Sequence, residues 1–122
     1  MSTRLPQVAE LDALGLVAQL SASFNPVLAR EFDGTVVLEL DPGSDQGAAQ
    51  RVVLILDHGK LQTRVTTDQT PADITLYFHS AAEAAALLQG SANPVTAFME
   101  GRFRSDGYLI WVFSVLSMFR PG

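Results

Sequence analysis

Cysteine is absent from the 122 residues. That excludes disulfides, thiol nucleophiles, zinc fingers and iron–sulfur ligation together, and fits a reducing cytoplasm. Charge is also sparse, at 17% of residues. Eight Lys+Arg stand against thirteen Asp+Glu, a net −5. Such a surface repels phosphate unless its cations cluster, so general nucleic-acid binding is not expected. Long apolar runs are missing too. The longest, Tyr108 to Phe119, is broken by Ser114 and Ser117 and falls short of the ~20 residues that span a bilayer. The start, Met1-Ser2-Thr3-Arg4-Leu5-Pro6, has neither the basic head nor the apolar stretch of a signal peptide. The expectation is a soluble, cytoplasmic protein.

The recurrent motifs of catalysis are missing as well. There is no G-x-G-x-x-G, and Gly59-Lys60 lacks the glycine-rich loop of a phosphate-binding P-loop. Gly43-Ser44-Asp45-Gln46-Gly47 is out of register for a nucleophile elbow and lacks its strand-to-helix setting. It also lacks the alternating acids and closing Glu of a calcium loop. Only two histidines exist. His58 sits in a turn beside Asp57, and His79 stands just before a helix cap. Without partner spacing neither reads as a metal ligand or general base. Catalytic residues, metal and cofactor are all expected to be none.

What is present is apolar: 48% of residues are hydrophobic. A chain of this mass folds to roughly 6,400 Å² of surface from about 19,000 Å² unfolded, enough burial for a core without staples. One domain over 1–122 is expected. Val8, Leu11, Leu14 and Ala18 recur at helical spacing within 7–20, and Asn25-Pro26 opens a short helical turn ending near Phe32. Strands follow: 35–40 with Val36, Leu38 and Leu40 on one side; 51–56, apolar on both faces and so central; 61–67; and 73–78 with Ile74, Leu76 and Phe78 on one side. The segment 41–50, with Pro42, Gly43 and Gly47, is a flexible hairpin connection.

The pattern then turns helical. Ser80-Ala81-Ala82-Glu83 is a capping box, and its helix stops at Gly90. Asn93-Pro94 starts another, with Val95, Phe98 and Met99 at i, i+3 and i+4, ended by Gly101. Arg102-Phe103-Arg104 reads as a short strand with Phe103 inward, before a turn at Ser105-Asp106-Gly107. Residues 108–119 leave no polar stripe. As a helix they must be covered on more than one side, and their Val and aromatic content also allows a strand. Arg102, Arg104 and Arg120 flank this segment and are candidates to meet an anionic or polar head, with ordinary solvation as the other reading.

Residues 73–119 resemble the sterol carrier protein 2 (SCP2) family. The similarity is carried by Ala72-Asp73-Ile74-Thr75-Leu76, then Leu87-Leu88-Gln89-Gly90, Asn93-Pro94, Ala97-Phe98-Met99, Gly101-Arg102-Phe103-Arg104 and Gly107, in that order. The resemblance implies an α+β fold: a five-stranded mainly antiparallel sheet covered by helices, with an apolar cavity between them and a terminal helix over 108–119. It implies non-enzymatic binding of a sterol, a fatty acyl chain or a related lipid. Phe98, Met99, Phe103, Trp111, Val115 and Met118 are the candidate lining, with Arg102 and Arg104 near the head. Such domains often carry small residues and a Lys in the terminal helix, whereas this one has Trp111, Phe113, Met118 and Phe119 and no Lys. Those side chains either line a tunnel, fill it, or form a face for a second copy. The other class of function is therefore an interaction or accessory module with a filled cavity, as dimer or as partner of a lipid or quinone biosynthetic enzyme. The partners implied are a small apolar ligand, a homodimer or partner enzyme, and transient contact with a membrane surface.

Overall fold

The computed structural model describes residues 12–41, 49–90, 93–107 and 109–119. Val8, Leu11, the 42–48 part of the hairpin connection, Tyr108 and Arg120 lie outside them. The element order is α1 (Ala13–Ser23), a 3₁₀ turn (Leu28–Glu31), β1 (Gly34–Leu40), β2 (Gln50–Asp57), β3 (Lys60–Thr66), β4 (Ile74–Phe78), α2 (Ala81–Leu88), α3 (Pro94–Met99), β5 (Arg104–Asp106) and α4 (Leu109–Ser117).

The strands form one open sheet in the order β3-β2-β1-β4-β5. Neighbours are antiparallel except β1 and β4, which run parallel from Val36 opposite Ile74 to Leu40 opposite Phe78. Side-chain alternation puts Val36, Leu38 and Leu40 with Val52, Leu54, Leu56, Ile74, Leu76 and Phe78 in one core, under α1, α2 and α4. The opposite face carries Glu39, Arg51, Tyr77 and Arg104 in one register row. Val37 and Val53, paired on that face, are also buried. The strand expected as central, 51–56, is covered on both faces but lies one place off the middle, which β1 occupies.

The helix signals act locally as expected. Ser80 Oγ accepts the Glu83 N–H at 3.1 Å, while the Glu83 carboxylate lies 3.7 Å from Arg102. Asn93 Oδ1 accepts from both Val95 and Thr96, and Gly101 ends α3 at φ +74°. Asn25 Oδ1 accepts from Val27 and Leu28 as the 3₁₀ turn begins.

Three details differ from expectation. α1 begins at Asp12, whose carboxylate caps Gly15, and it buries Ala13, Leu16 and Leu20, with Leu14 and Ala18 exposed. Both stripes of this segment are apolar, so its pattern selects neither. β5 starts at Arg104 and takes in Ser105 and Asp106, because the Arg102 N–H is still bonded back to Ala97 O at 2.9 Å. α3 buries Ala97, turns Val95 and Met99 outward, and holds Phe98 at the edge between them and the core. Residues 109–117, open between helix and strand in the pattern, are helical.

Candidate functional site

Four phenylalanines form a string from the sheet to the surface. Phe78, near the end of the core face of β4, stacks on Phe103 at 5.8 Å and 23°. Phe103 meets Phe98 of α3 at 5.6 Å, and Phe98 meets Phe113 of α4 edge-on at 6.3 Å. Phe78 and Phe103 are 4% and 2% exposed, Phe98 36%. Local chemistry sets this up. The Gly101 turn and the Arg102-to-Ala97 bond reverse the chain behind α3, and Phe103 drops into the core before pairing begins at Arg104.

The lining candidates divide. Phe103, Val115 and Met118 are buried. Trp111 is half-buried, 5.3 Å from the Phe32 ring. Phe98 sits at the surface end of the string, and Met99 is 80% exposed on the outward side of α3. The far end of α4 is packed: Met118 and Phe119 are fully buried, and Phe119 meets Phe24 at 5.5 Å. The bulky terminal side chains therefore fill the layer at that end.

On the other side of Phe78 and Phe103 lies a recess of about 370 Å³. The ends of β1 and β4 and the start of β5 build it. Glu39, Tyr77, His79 and Arg104 give it polar walls, and Phe78 and Phe103 give it apolar ones. Arg104 lies over the Tyr77 ring at 5.0 Å, and the Tyr77 hydroxyl donates to Asp106 at 2.8 Å. That bond, with some burial, raises the Tyr77 pKa above its ordinary value, so the phenol stays a neutral donor. The two headgroup candidates separate here. Arg104 lines the recess, whereas Arg102 is within 3.7–3.8 Å of Glu83 and Glu100. The sequence reading missed Glu39 and Tyr77 as site residues. Their alternation with core positions was the available signal, but the parallel β1–β4 pairing that aligns them was not visible.

His58 stands apart, on the exposed β2–β3 turn at φ +52°. Its N–H donates to Asp33 Oδ1 at 2.9 Å and its Nδ1 closely meets the Asp57 carboxylate. The bond to Asp57, then the charges of Asp57 and Asp33, raise its pKa above 6.5. Donor atoms of Asp33, Asp57 and His58 lie within 4.8 Å of one another, all on exposed residues. The hydrogen bonds among them account for this closeness as a turn clasp. No helix among the described residues is long and apolar enough to cross a membrane.

Residues 16–110 match the family model of the SCP-2 sterol transfer family. The chain belongs to this family. The fold agrees. The sterol carrier protein domain 2 of Helicoverpa armigera superposes with a TM-score of 0.62 at 19% identity, covering 92% of this chain and 89% of that one. The UbiJ-SCP2 ubiquinone synthesis protein gives 0.60 at 14% identity over 86% and 90%. The inverting sec-alkylsulfatase Pisa1 from Pseudomonas sp. gives 0.64 at 19% identity, over 84% of this chain and 15% of the sulfatase. No curated protein matches the chain.

Proposed function

We propose that this SCP2-family chain is a non-enzymatic carrier, a single cytoplasmic domain that holds a small apolar ligand between the sheet and α4. The observation that carries this reading is the phenylalanine string from the exposed Phe98 to the buried Phe103 and Phe78. It is an apolar path from solvent to the core that ends against a polar recess. Burial of a lipid chain contributes about 0.8 kcal/mol per CH₂. Phe98, Phe103, Trp111, Val115 and Met118 are the proposed lining, and Arg104 and Tyr77 the polar end. Met99 is assigned to the outer face. The best candidates for the ligand are a sterol, a fatty acyl chain or an isoprenoid ring compound.

A second reading follows from the packing at the end of α4. Met118 and Phe119 are fully buried, which supports a filled layer and an accessory role beside a second copy or a biosynthetic enzyme. Native purification and mass spectrometry of extracted small molecules separate the two. A stoichiometric lipid or quinone, with a shift of Trp111 fluorescence on adding it back, supports the carrier. An empty protein whose Trp111 emission ignores fatty acids and sterols overturns it.

A further inference from the structure

β3 is an outer strand of the sheet, and among the described residues no strand pairs with its far side. It pairs with β2 at every position from Lys60 to Thr66, without a bulge, and holds no proline. This edge is long and regular, unlike that of the three-residue β5. The turn His58-Gly59 has both φ values positive, +52° and +79°. Such a two-residue hairpin makes Asp57 and Lys60 a hydrogen-bonded pair. Alternation from there turns the N–H and C=O of Lys60, Gln62, Arg64 and Thr66 to β2, and those of Leu61, Thr63 and Val65 outward.

The helix layer is unsealed at the same edge. α1 gives Ala13, Leu16 and Leu20 to the core. Its Gln19 and Ser23 side meets α2, where Gln89 Nε2 donates to Gln19 O and Ser23 Oγ. The helical repeat leaves Leu14, Val17 and Ser21 on the β3 side. Leu14 is 69% exposed, and Val17, Leu61 and Val65 are only partly buried. Ser21 and Phe24 face Lys60, Leu61 and Gln62 across an open groove of about 530 Å³.

We propose that a second copy completes this edge, its β3 antiparallel to the first about a twofold axis at Thr63. Lys60 and Arg64 are charges of the kind that block edge pairing, so register decides. Centring on Thr63 opposes all seven residues of β3. It sets Lys60 opposite Thr66, Arg64 opposite Gln62, and Leu61 opposite Val65 on the core side. Centring on Gln62 would set Lys60 opposite Arg64, and centring on Arg64 would set that residue opposite its own copy, both unfavourable. The chosen register satisfies the outward groups of Leu61, Thr63 and Val65 with about six hydrogen bonds. It also brings Leu14 of each copy beside the groove of the other. The Phe98–Phe103 string lies at the β5 end of the sheet, so pairing leaves it free on both copies and does not rest on the carrier reading.

The test is analytical ultracentrifugation over a concentration series, with amide hydrogen exchange read by NMR. Wild type should be a dimer that dissociates on dilution. Thr63→Pro removes an N–H that β2 does not use, and Leu14→Glu puts a carboxylate in the first turn of α1, where the dipole favours it. Each should weaken the dimer about tenfold, whereas Met99→Glu, on the outer side of α3, should leave it unchanged. Circular dichroism checks each fold, and the exchange pattern needs no variant. The Leu61, Thr63 and Val65 amides should exchange slowly in the dimer and fast on dilution, while Gln62 and Arg64 stay slow in both. The proposal is overturned if wild type is monomeric into the millimolar range, if neither edge variant weakens the dimer, if Met99→Glu dissolves it, or if the three outward amides exchange alike at both concentrations.

Discussion

Gly107 and Gly101 flank β5, and replacing each with alanine should have unequal consequences. Both occupy the positive-φ region, at +125° and +74°, where an L side chain costs about 1–2 kcal/mol. A Cβ at Gly101 would meet nothing within 4 Å. At Gly107 it would lie 2.8 Å from the Asp73 carbonyl oxygen and 3.1–3.2 Å from Ile74. That backbone cannot yield easily. The Asp73 N–H donates to Thr35 O and its carboxylate accepts the Thr35 N–H, both at 2.9 Å, so Asp73 is clamped to β1. Relief must come from moving the start of α4, an overpacking cost of about 1–3 kcal/mol. Gly101→Ala should therefore lose about 1 kcal/mol and Gly107→Ala about 3–4 kcal/mol. For a chain this long, 1 kcal/mol shifts Tm by about 4 °C. The expected falls are about 4 °C and about 12–16 °C, read by calorimetry with urea unfolding at constant slope as a control. Equal losses would refute the argument, because they would mean that the collision relaxes freely and only the dihedral matters.

His58 should titrate above 6.5 in an NMR experiment, and Asp57→Asn should bring it back toward 6.5, since the bond to Asp57 is the largest cause of the shift. The raised folded pKa favours the protonated form. Its stabilising contribution is therefore complete below about pH 6.5 and lost as pH rises through the folded value, so the wild-type urea midpoint should fall across that window more than that of Asp57→Asn; parallel curves would dismiss the clasp. Arg51 is 8% exposed, with Nε 3.2 Å from Glu39 and Nη1 donating to Thr67 O at 2.7 Å. Arg51→Met should cost about 1–3 kcal/mol, below the full value for a buried pair because Glu39 is 29% exposed. Glu39→Gln, which still offers an acceptor, should cost less; a larger loss for Glu39→Gln in urea unfolding would show that the pair's charge, not the Arg51 bonding, carries the effect.

The sequence was legible where a few adjacent residues decide the outcome. Ser80, Asn93, Gly90 and Gly101 mark helix ends through hydrogen bonds and dihedrals confined to one turn, and they appear where the pattern puts them. Alternation in 74–78 likewise fixes which side of β4 is buried. The faces of short helices were not legible. α3 has six residues, under two turns; the chain reversal at Gly101 presents small Ala97 to the core, leaves Val95 and Met99 outside, and sets Phe98 at the edge against Phe103. The recess was illegible for another reason. Glu39, His79 and Arg104 are far apart in sequence and meet only through the parallel pairing of β1 with β4 and the antiparallel pairing of β4 with β5.

The packing around α4 also bears on where a ligand could be taken up. At the far end, Phe119 is fully buried against Phe24, and Met118 O accepts the Asn25 N–H at 2.8 Å, tying the helix end to the start of the 3₁₀ turn. Opening the layer there would displace a core phenylalanine, a cost of about 3–5 kcal/mol by comparison with deletion of such a side chain. At the near end, Phe98 is already at the surface and Phe113 half-buried. Swinging Phe98 aside forfeits two ring contacts, each about 0.5–1.5 kcal/mol. Two to four methylenes of a ligand chain, at about 0.8 kcal/mol each, offset that. The carrier reading therefore places uptake beside Phe98 and Phe113, and leaves the Met118–Phe119 end as the closed wall that limits how deep a ligand can go.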